Sequence, residues 1–103
     1  MKIPKQIKIG GFNYNVERPT THFIGDNNVV LDGQCDTMEK TIKVCAVGCE
    51  EYQEVVFLHE VCHAIINHYV SWDEQDEKFV EQFAKGLYQV LVDNKDIFGS
   101  DIE

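Results

Sequence analysis

Residues 57–66 read FLHEVCHAII and place two histidines, a glutamate and a cysteine within an otherwise apolar run. The run lies in the middle of EEYQEVVFLHEVCHAIINHYV, residues 50–70, which contains neither Gly nor Pro. A long stretch without helix breakers that is apolar nearly all round its middle predicts a helix buried on most faces. Burying ionisable side chains costs free energy unless they have partners, so these side chains indicate a functional role.

The two histidines have the spacing of a helical metal site. His59 and His63 are four residues apart and project from one face of a helix, where two imidazole groups can bind one Zn²⁺ ion. Glu60 lies about 100° around the helix from His59, where it can contact a water activated by the metal. HExxH on a helix is typical of zinc hydrolases, with the glutamate as general base. The competing interpretation is a pair of core histidines satisfied by backbone groups.

A second helix is predicted after a short turn. In SWDE, residues 71–74, Ser71 and Glu74 fit the N-cap and N3 positions of a capping box. The apolar residues that follow recur at spacings of three and four up to about Asp93, and they define a predicted buried face. This face consists of Val80, Phe83, Ala84, Leu87, Tyr88 and Leu91.

The second helix is expected to supply the third protein ligand that a catalytic zinc site normally has. Its candidates are Asp76, Glu77 and Glu81. Axial rise favours Glu81, because an antiparallel helix reaches the level of His63 at about residues 79–81. Rotation favours Glu77, which lies inside the arc of the predicted buried face, whereas Glu81 lies at its edge.

The other histidines and the cysteines receive structural interpretations. His68 lies about 140° around the helix from His63 and is predicted to be a helix-end residue, either solvated or near the dipole at the helix C-terminus. His22 falls in a predicted loop, and a ligand role for it stays open. Cys62 is predicted to be a small core residue. A second, structural zinc site would need four Cys or His ligands. The spacing of the available residues matches no zinc finger, so free thiols are expected. Those ligands would be Cys35, Cys45, Cys49 and His22.

The first half of the chain reads as short strands. Residues 6–9 (QIKI) and 12–17 (FNYNVE) alternate apolar and polar residues around two glycines, which predicts a β-hairpin. Residues 20–28 are rich in turn-forming residues and predict a loop. VVLDGQCD and TIKVCAV, residues 29–36 and 41–47, predict a second antiparallel pair.

The order of strands followed by helices predicts one α+β domain over residues 1–103, with a small antiparallel sheet covered by the helices. The tail from Asn94 onward is predicted to be frayed or loosely docked. No apolar run approaches the roughly 18 residues of a membrane-spanning helix, and the N-terminus lacks the apolar segment of a signal peptide. The expected location is therefore the cytoplasm, without a membrane partner.

Charge is distributed unevenly along the chain, whose net charge is −9. Residues 1–45 carry six Lys or Arg against five Asp or Glu, and residues 46–103 carry three against thirteen. An acidic half repels phosphates, which argues against direct binding of nucleic acid. The simplest interpretation is a solvated acidic face. The alternatives are a docking surface for a basic partner and an acidic mimic of DNA.

FLHEVCHAII followed by DEKFVEQFAKGLYQVL resembles the small ImmA/IrrE-like metallopeptidases of phages, prophages and mobile elements. The resemblance implies a minimal, zincin-like gluzincin fold, with a short antiparallel sheet, an HExxH helix and a second helix that supplies a glutamate ligand. In this family that glutamate commonly opens the pattern E-x-x-A-x-x-F-A, which residues 77–84 match except at Val80. The resemblance therefore implies that Glu77 is the third zinc ligand. It likewise implies that His59 and His63 are the other two zinc ligands and that Glu60 is the general base.

The implied activity is a zinc-dependent endopeptidase with a narrow range of protein substrates, which in some family members include a repressor. A substrate peptide is expected to add along the sheet edge nearest the HExxH helix, at Gln34–Asp36 or Thr41–Val44. The alternative is a non-catalytic zinc-binding phage accessory protein that binds a host or repressor protein. An oxyanion-stabilising donor is also expected. Its candidates are His22, Tyr52, His68 and Tyr69.

Overall fold

The computed structural model describes residues 2–25, 28–71 and 76–99, and the side chains of Asp76, Glu77 and Val80 lie outside the described part. The protein is α+β, with a small mixed sheet and, within those residues, three helices. None of the helices in these ranges has the length and apolar content that a bilayer crossing requires. The strands are β1 (Gln6–Ile9), β2 (Phe12–Glu17), β3 (Phe23–Ile24), β4 (Val30–Leu31), β5 (Gly33–Asp36) and β6 (Thr41–Val44). The helices are α1 (Glu50–Tyr69), α2 (Asp76–Asp93) and α3 (Lys95–Phe98).

The four-stranded sheet has the strand order β1-β2-β6-β5. Both predicted hairpins are confirmed, because β1 pairs antiparallel with β2 and β5 pairs antiparallel with β6. The prediction of a wholly antiparallel sheet is wrong, because β2 and β6 are parallel, with Val16 opposite Ile42. The second hairpin joins the first through its second strand, so β5 lies at the edge and β6 runs in the same direction as β2.

Part of the predicted loop forms one strand of a two-stranded ribbon, whose other strand is the beginning of the predicted strand over residues 29–36. Strand β3 pairs antiparallel with β4, with Phe23 opposite Leu31. The amide of Gly25 donates to the carbonyl of Val29 at 2.9 Å and closes the ribbon. The predicted strand over residues 29–36 is thus divided at Asp32, since its first part pairs with β3 and its second part pairs with β6.

The core lies between one face of the sheet and α1, which contacts β1, β5 and β6. Alternation along the strands directs five buried side chains into it, and α1 supplies four more. Burying each large apolar side chain contributes about 1.5–3 kcal/mol before the entropy cost of folding. The helix is buried on fewer faces than predicted, because Val55 is 63% exposed and Leu58 is 42% exposed. The core residues are Ile7, Ile9, Tyr14, Ile42 and Val44 of the sheet, Phe57, Val61, Ala64 and Ile65 of α1, and Val90 of α2.

Helix α2 packs on α1 and β1 through a face that is rotated from the predicted one, although Phe83 of the predicted face does pack against the core. A Cβ atom at Gly86 would lie 2.6 Å from Tyr69 and 2.7 Å from Ile65, so only glycine permits this close helix contact. Gly86 and Val90 are buried, and this face lies about 100° around the helix from the predicted one. The face of α2 that packs on α1 is therefore determined by where the two helix backbones can approach closely, and not by where most apolar residues of α2 lie. Residues predicted to be buried but found exposed are Ala84, Leu87 and Tyr88.

The segment after α2 is docked against the sheet through Asn94, and the prediction of a loose tail is wrong up to residue 99. Asn94 is 5% exposed, and its side-chain amide donates to the carbonyls of Lys8 at 2.9 Å and Val90 at 2.8 Å. Its Oδ1 accepts a hydrogen bond from the amide of Lys8 at 3.0 Å. Asn94 therefore pairs with the free edge of β1 much as a further strand would.

Replacement of Asn94 by Ala should lower the free energy of unfolding by about 2–3 kcal/mol, because it removes the side-chain partner of the part-buried backbone groups of Lys8 and of the buried carbonyl of Val90. Urea denaturation measures the change. Asn13→Ala, at an exposed position of β2, is the matched control and should change stability by less than about 0.5 kcal/mol. Equal effects of the two substitutions would contradict this account of the docked tail.

Candidate metal centre

Helix α1 brings His59 and His63 together on one exposed face. Their Nε2 atoms are 3.1 Å apart, and the rings lie 4.7 Å apart between centroids at an angle of 76°. Two nitrogen ligands about 2.0–2.1 Å from a tetrahedral zinc ion lie about 3.3–3.4 Å apart. The two imidazoles therefore converge at nearly the spacing that one zinc ion requires. The same distance also fits a hydrogen bond from one neutral ring to the other.

An open cavity of about 470 Å³ lies beside the two histidines. Strand β5 and the loop after it supply one wall, and α1 supplies the other. Because His59, Glu60 and His63 all line this cavity, a bound molecule would contact the HExxH side chains from solvent. The other lining residues are Leu31, Gly33, Gln34, Cys35, Thr37, Ile66 and Asn67.

Glu60 is a buried carboxyl group at the base of this site, with 7% of the residue exposed. Burial raises the pKa of Glu60, and the neighbouring His63 and His59 partly oppose that shift. Desolvation makes a carboxylate a stronger proton acceptor than it is in water. Glu60 is therefore a desolvated carboxyl group beside two converging imidazoles, in a position where it could accept a proton from a molecule in the cavity.

Gly33 sets the distance between β5 and α1. A Cβ atom there would lie 2.6 Å from Cγ1 of Val56 and 3.0 Å from Oε2 of Glu60. Any larger residue would displace one of these side chains. The glycine thus allows the edge strand to approach the helix and to cover Glu60 from one side.

The four cysteines are free and lie in separate environments. Cys35 lines the cavity, but burial, with smaller contributions from Glu60 and Asp36, raises its pKa to about 11. Its thiol is therefore neutral at pH 7 and is a poor nucleophile. Cys62 is half-buried rather than a full core residue, and burial raises the pKa of its thiol.

The predicted third ligand, Glu77, has a side chain outside the described residues. Glu81 is exposed and forms an ion pair with Lys85 at 3.4 Å. Within residues 2–25, 28–71 and 76–99 as described, no three His, Cys, Asp or Glu side chains are grouped to hold a metal ion. Because α2 is rotated from the predicted orientation, the rotational reason for preferring Glu77 no longer holds, and the resemblance is its remaining support.

His68 lies in the last turn of α1, as predicted, but its side chain is directed towards the first hairpin rather than towards solvent. Its Nε2 lies 2.6 Å from the hydroxyl of Tyr14, and its ring stacks on Phe12 at 5.4 Å. Gly10 makes room for the ring, since a Cβ atom there would lie 2.7 Å from Cγ of His68. Burial, and to a lesser degree Lys40, lower the pKa of His68. A neutral His68 therefore fastens α1 to the hairpin.

The structure also brings together three side chains that the sequence did not group. Tyr52 donates a hydrogen bond to Oδ2 of Asp32, and His22 Nε2 lies 2.8 Å from Oδ1 of the same carboxylate. The hydrogen bond to Asp32 is the main cause of a raised pKa at Tyr52. Asp32 was missed because it belongs to no spaced motif. The Asp-Gly pair inside an apolar run was the available signal, since it marks the point where the strand is divided.

Comparison with known proteins finds no matching family model and no curated protein or solved structure with significant similarity.

Replacement of Glu60 by Gln should stabilise the zinc-free protein at pH 7.5, by about 0.5–2 kcal/mol. The pKa of Glu60 is higher in the folded protein than in the unfolded chain. As the pH rises from the unfolded-chain pKa to the folded-state pKa, Glu60 becomes charged in its buried position and the free energy of unfolding falls. The difference between variant and wild type should therefore shrink as the pH falls towards about 4.3.

Urea denaturation in the presence of a chelator, at several pH values, tests this expectation. The matched control is Glu51→Gln, at an exposed position in the first turn of the same helix. This control should not stabilise the protein, because a carboxylate near a helix N-terminus is favourable. A Glu60→Gln variant less stable than the wild type at pH 7.5 would contradict the description of Glu60 as a desolvated carboxylate.

Proposed function

We propose that this protein is a zinc-dependent metalloendopeptidase of the ImmA/IrrE-like kind. The observation that carries the proposal is the arrangement on α1, where two Nε2 atoms converge to 3.1 Å beside the buried carboxyl group of Glu60. All three side chains line one open cavity next to an edge strand. A pair of structural histidines would need neither the buried carboxylate nor the cavity.

His59 and His63 would hold the zinc ion, with a third ligand from the beginning of α2, for which Glu77 is the candidate. Zinc bound there would polarise the scissile carbonyl and lower the pKa of the attacking water. The two imidazoles fit this role because their nitrogen spacing is close to that of a tetrahedral site and because both are accessible from the cavity.

Glu60 acts as the general base and then as the general acid. Its carboxylate takes one proton from the attacking water, and the hydroxide oxygen forms a bond to the carbonyl carbon of the substrate. When the carbon–nitrogen bond breaks, Glu60 returns the proton to the leaving nitrogen, so the products are a carboxylic acid and an amine. Burial of Glu60 favours both transfers, because it raises the pKa of the carboxyl towards neutral pH.

Strand β5 is the docking edge for an extended substrate. Of the two strands expected to serve, β6 lies between β2 and β5, so its edges are both paired. Among the described strands β5 pairs with β6 alone, and Gly33, Gln34 and Cys35 of β5 line the cavity. A peptide added along β5 would pass in front of His59 and His63. The resemblance further suggests a narrow choice of protein substrate, such as a repressor.

The zinc-loaded protein should cleave some members of a proteome-derived peptide mixture, with new N-termini detected by mass spectrometry. Glu60→Gln should reduce that cleavage by at least about 100-fold while retaining zinc, because it removes the proton acceptor but leaves the histidines in place. Glu51→Gln provides the matched control on the same helix and should cleave like the wild type.

Cleavage that survives in Glu60→Gln would exclude the proposed mechanism. Zinc bound by a wild-type protein that yields no new N-termini would instead favour the non-catalytic zinc-binding accessory protein, whose biological effect should persist in Glu60→Gln.

The third ligand is tested by the zinc content of purified Asp76→Ala, Glu77→Ala and Glu81→Ala. The wild type should hold one zinc per chain, and Glu77→Ala should lose most of it, since second-helix ligation is what the resemblance implies. Glu81→Ala should retain zinc, because Glu81 is exposed and paired with Lys85. Loss of zinc in Asp76→Ala or Glu81→Ala alone would reassign the ligand. Retention in all three would place the third ligand outside α2.

A further inference from the structure

A second cavity, of about 340 Å³, adjoins the first one at the candidate metal centre. The two cavities share Gly33, His59 and Glu60 as lining residues. The first extends towards the C-terminal end of α1 and the second towards its N-terminal part, so they flank the HExxH side chains on opposite sides. A peptide lying along β5 would therefore place neighbouring side chains in the two cavities.

The second cavity combines apolar walls with a single carboxylate beyond the HExxH residues. Val55 and Val56 of α1 supply aliphatic surface, and Asp32, at the bend before β5, supplies the carboxylate. The Asp32 side chain is 35% exposed, so it is accessible without being fully solvated. Aliphatic walls with one negative group suit a long side chain that has a methylene stem and a cationic end.

Asp32 is held in place by Tyr52 and His22. The phenol of Tyr52 donates to Oδ2, and the ring nitrogen of His22 lies 2.8 Å from Oδ1. The phenol O–H of Tyr52 donates without carrying a charge, so it orients the carboxylate without cancelling its charge. A carboxylate has about four acceptor positions, which leaves room for an incoming cation.

We infer that the cavity formed by Asp32, Tyr52, Val55 and Val56 is a specificity pocket for a lysine or arginine side chain next to the scissile bond. This inference rests on the proposed peptidase function and names its substrate class. The net charge of −9 would attract a basic segment, and the Asp32 carboxylate would select where along β5 the cationic side chain is held. An acidic side chain would be repelled from the same pocket.

The test is a binding measurement that requires no turnover. The full chain carrying Glu60→Gln, loaded with zinc, is titrated into fluorescein-labelled eight-residue peptides and followed by anisotropy. The peptides differ only in one residue, which is lysine, norleucine or glutamate and is placed in turn at each of the four central positions. The lysine peptide should bind about tenfold more tightly than the norleucine peptide at one position, as expected for one charged hydrogen bond.

Three further variants distinguish binding of lysine in the pocket from a general attraction of basic peptides to the negatively charged protein. Asp32→Asn should abolish the preference for lysine while leaving norleucine binding unchanged, because the amide keeps the shape but removes the charge. Tyr52→Phe should reduce the preference for lysine without abolishing it, because the Asp32 carboxylate remains but loses the phenol donor that orients it. Glu17→Gln removes one negative charge on the opposite, exposed face of the sheet and should keep the preference.

Equal binding of lysine and norleucine peptides at every position, or no binding at all, would overturn the inference. So would a preference that survives Asp32→Asn, or one that Glu17→Gln abolishes to the same extent. Because binding is measured without hydrolysis, these outcomes are distinct from failure of the peptidase proposal, which would appear as absence of cleavage by the protein with Glu60 intact.

Discussion

The close approach of strand β5 to helix α1 at Gly33 is the constraint on which the candidate site depends. A Cβ atom at Gly33 would lie within 3.0 Å of the Glu60 carboxyl, so the strand can pass the helix only because this residue has no side chain. The approach covers Glu60, makes β5 one wall of both cavities and leaves the two histidines open to solvent. Asp32, the residue before Gly33, reaches the second cavity for the same reason.

Placing a carboxyl group under this strand costs stability, and the rest of the fold offsets the cost. Burial raises the pKa of Glu60, which measures how unfavourable the charged form is in that position. The apolar layer between sheet and helix provides the compensating free energy. Asn94 at the edge of β1 and His68 against the first hairpin hold α2 and α1 to the same sheet. Proteins commonly hold an energetically unfavourable group at a functional site and compensate for it with good packing elsewhere.

The sequence predicted the parts of this fold that depend on local spacing. The first hairpin, the length of α1 and the shared face of His59 and His63 follow from periods of two and of about 3.6 residues. What it did not predict depends on contacts between distant segments. The parallel pairing of β2 with β6 follows from which strand of the second hairpin joins the sheet, and the rotation of α2 follows from the contact of Gly86 with Ile65 and Tyr69. Asp32 acquires its partners only through tertiary structure, so no spacing rule could find it.

The most direct test of the account is the location of zinc in crystals of the full chain grown with one equivalent of the metal, by anomalous diffraction at the zinc edge. The account predicts one peak per chain, bonded to Nε2 of both His59 and His63 at about 2.0–2.1 Å and open to the cavity beside β5. Zinc bound elsewhere, or no zinc at the two histidines while their Nε2 atoms remain hydrogen-bonded to each other, would contradict it.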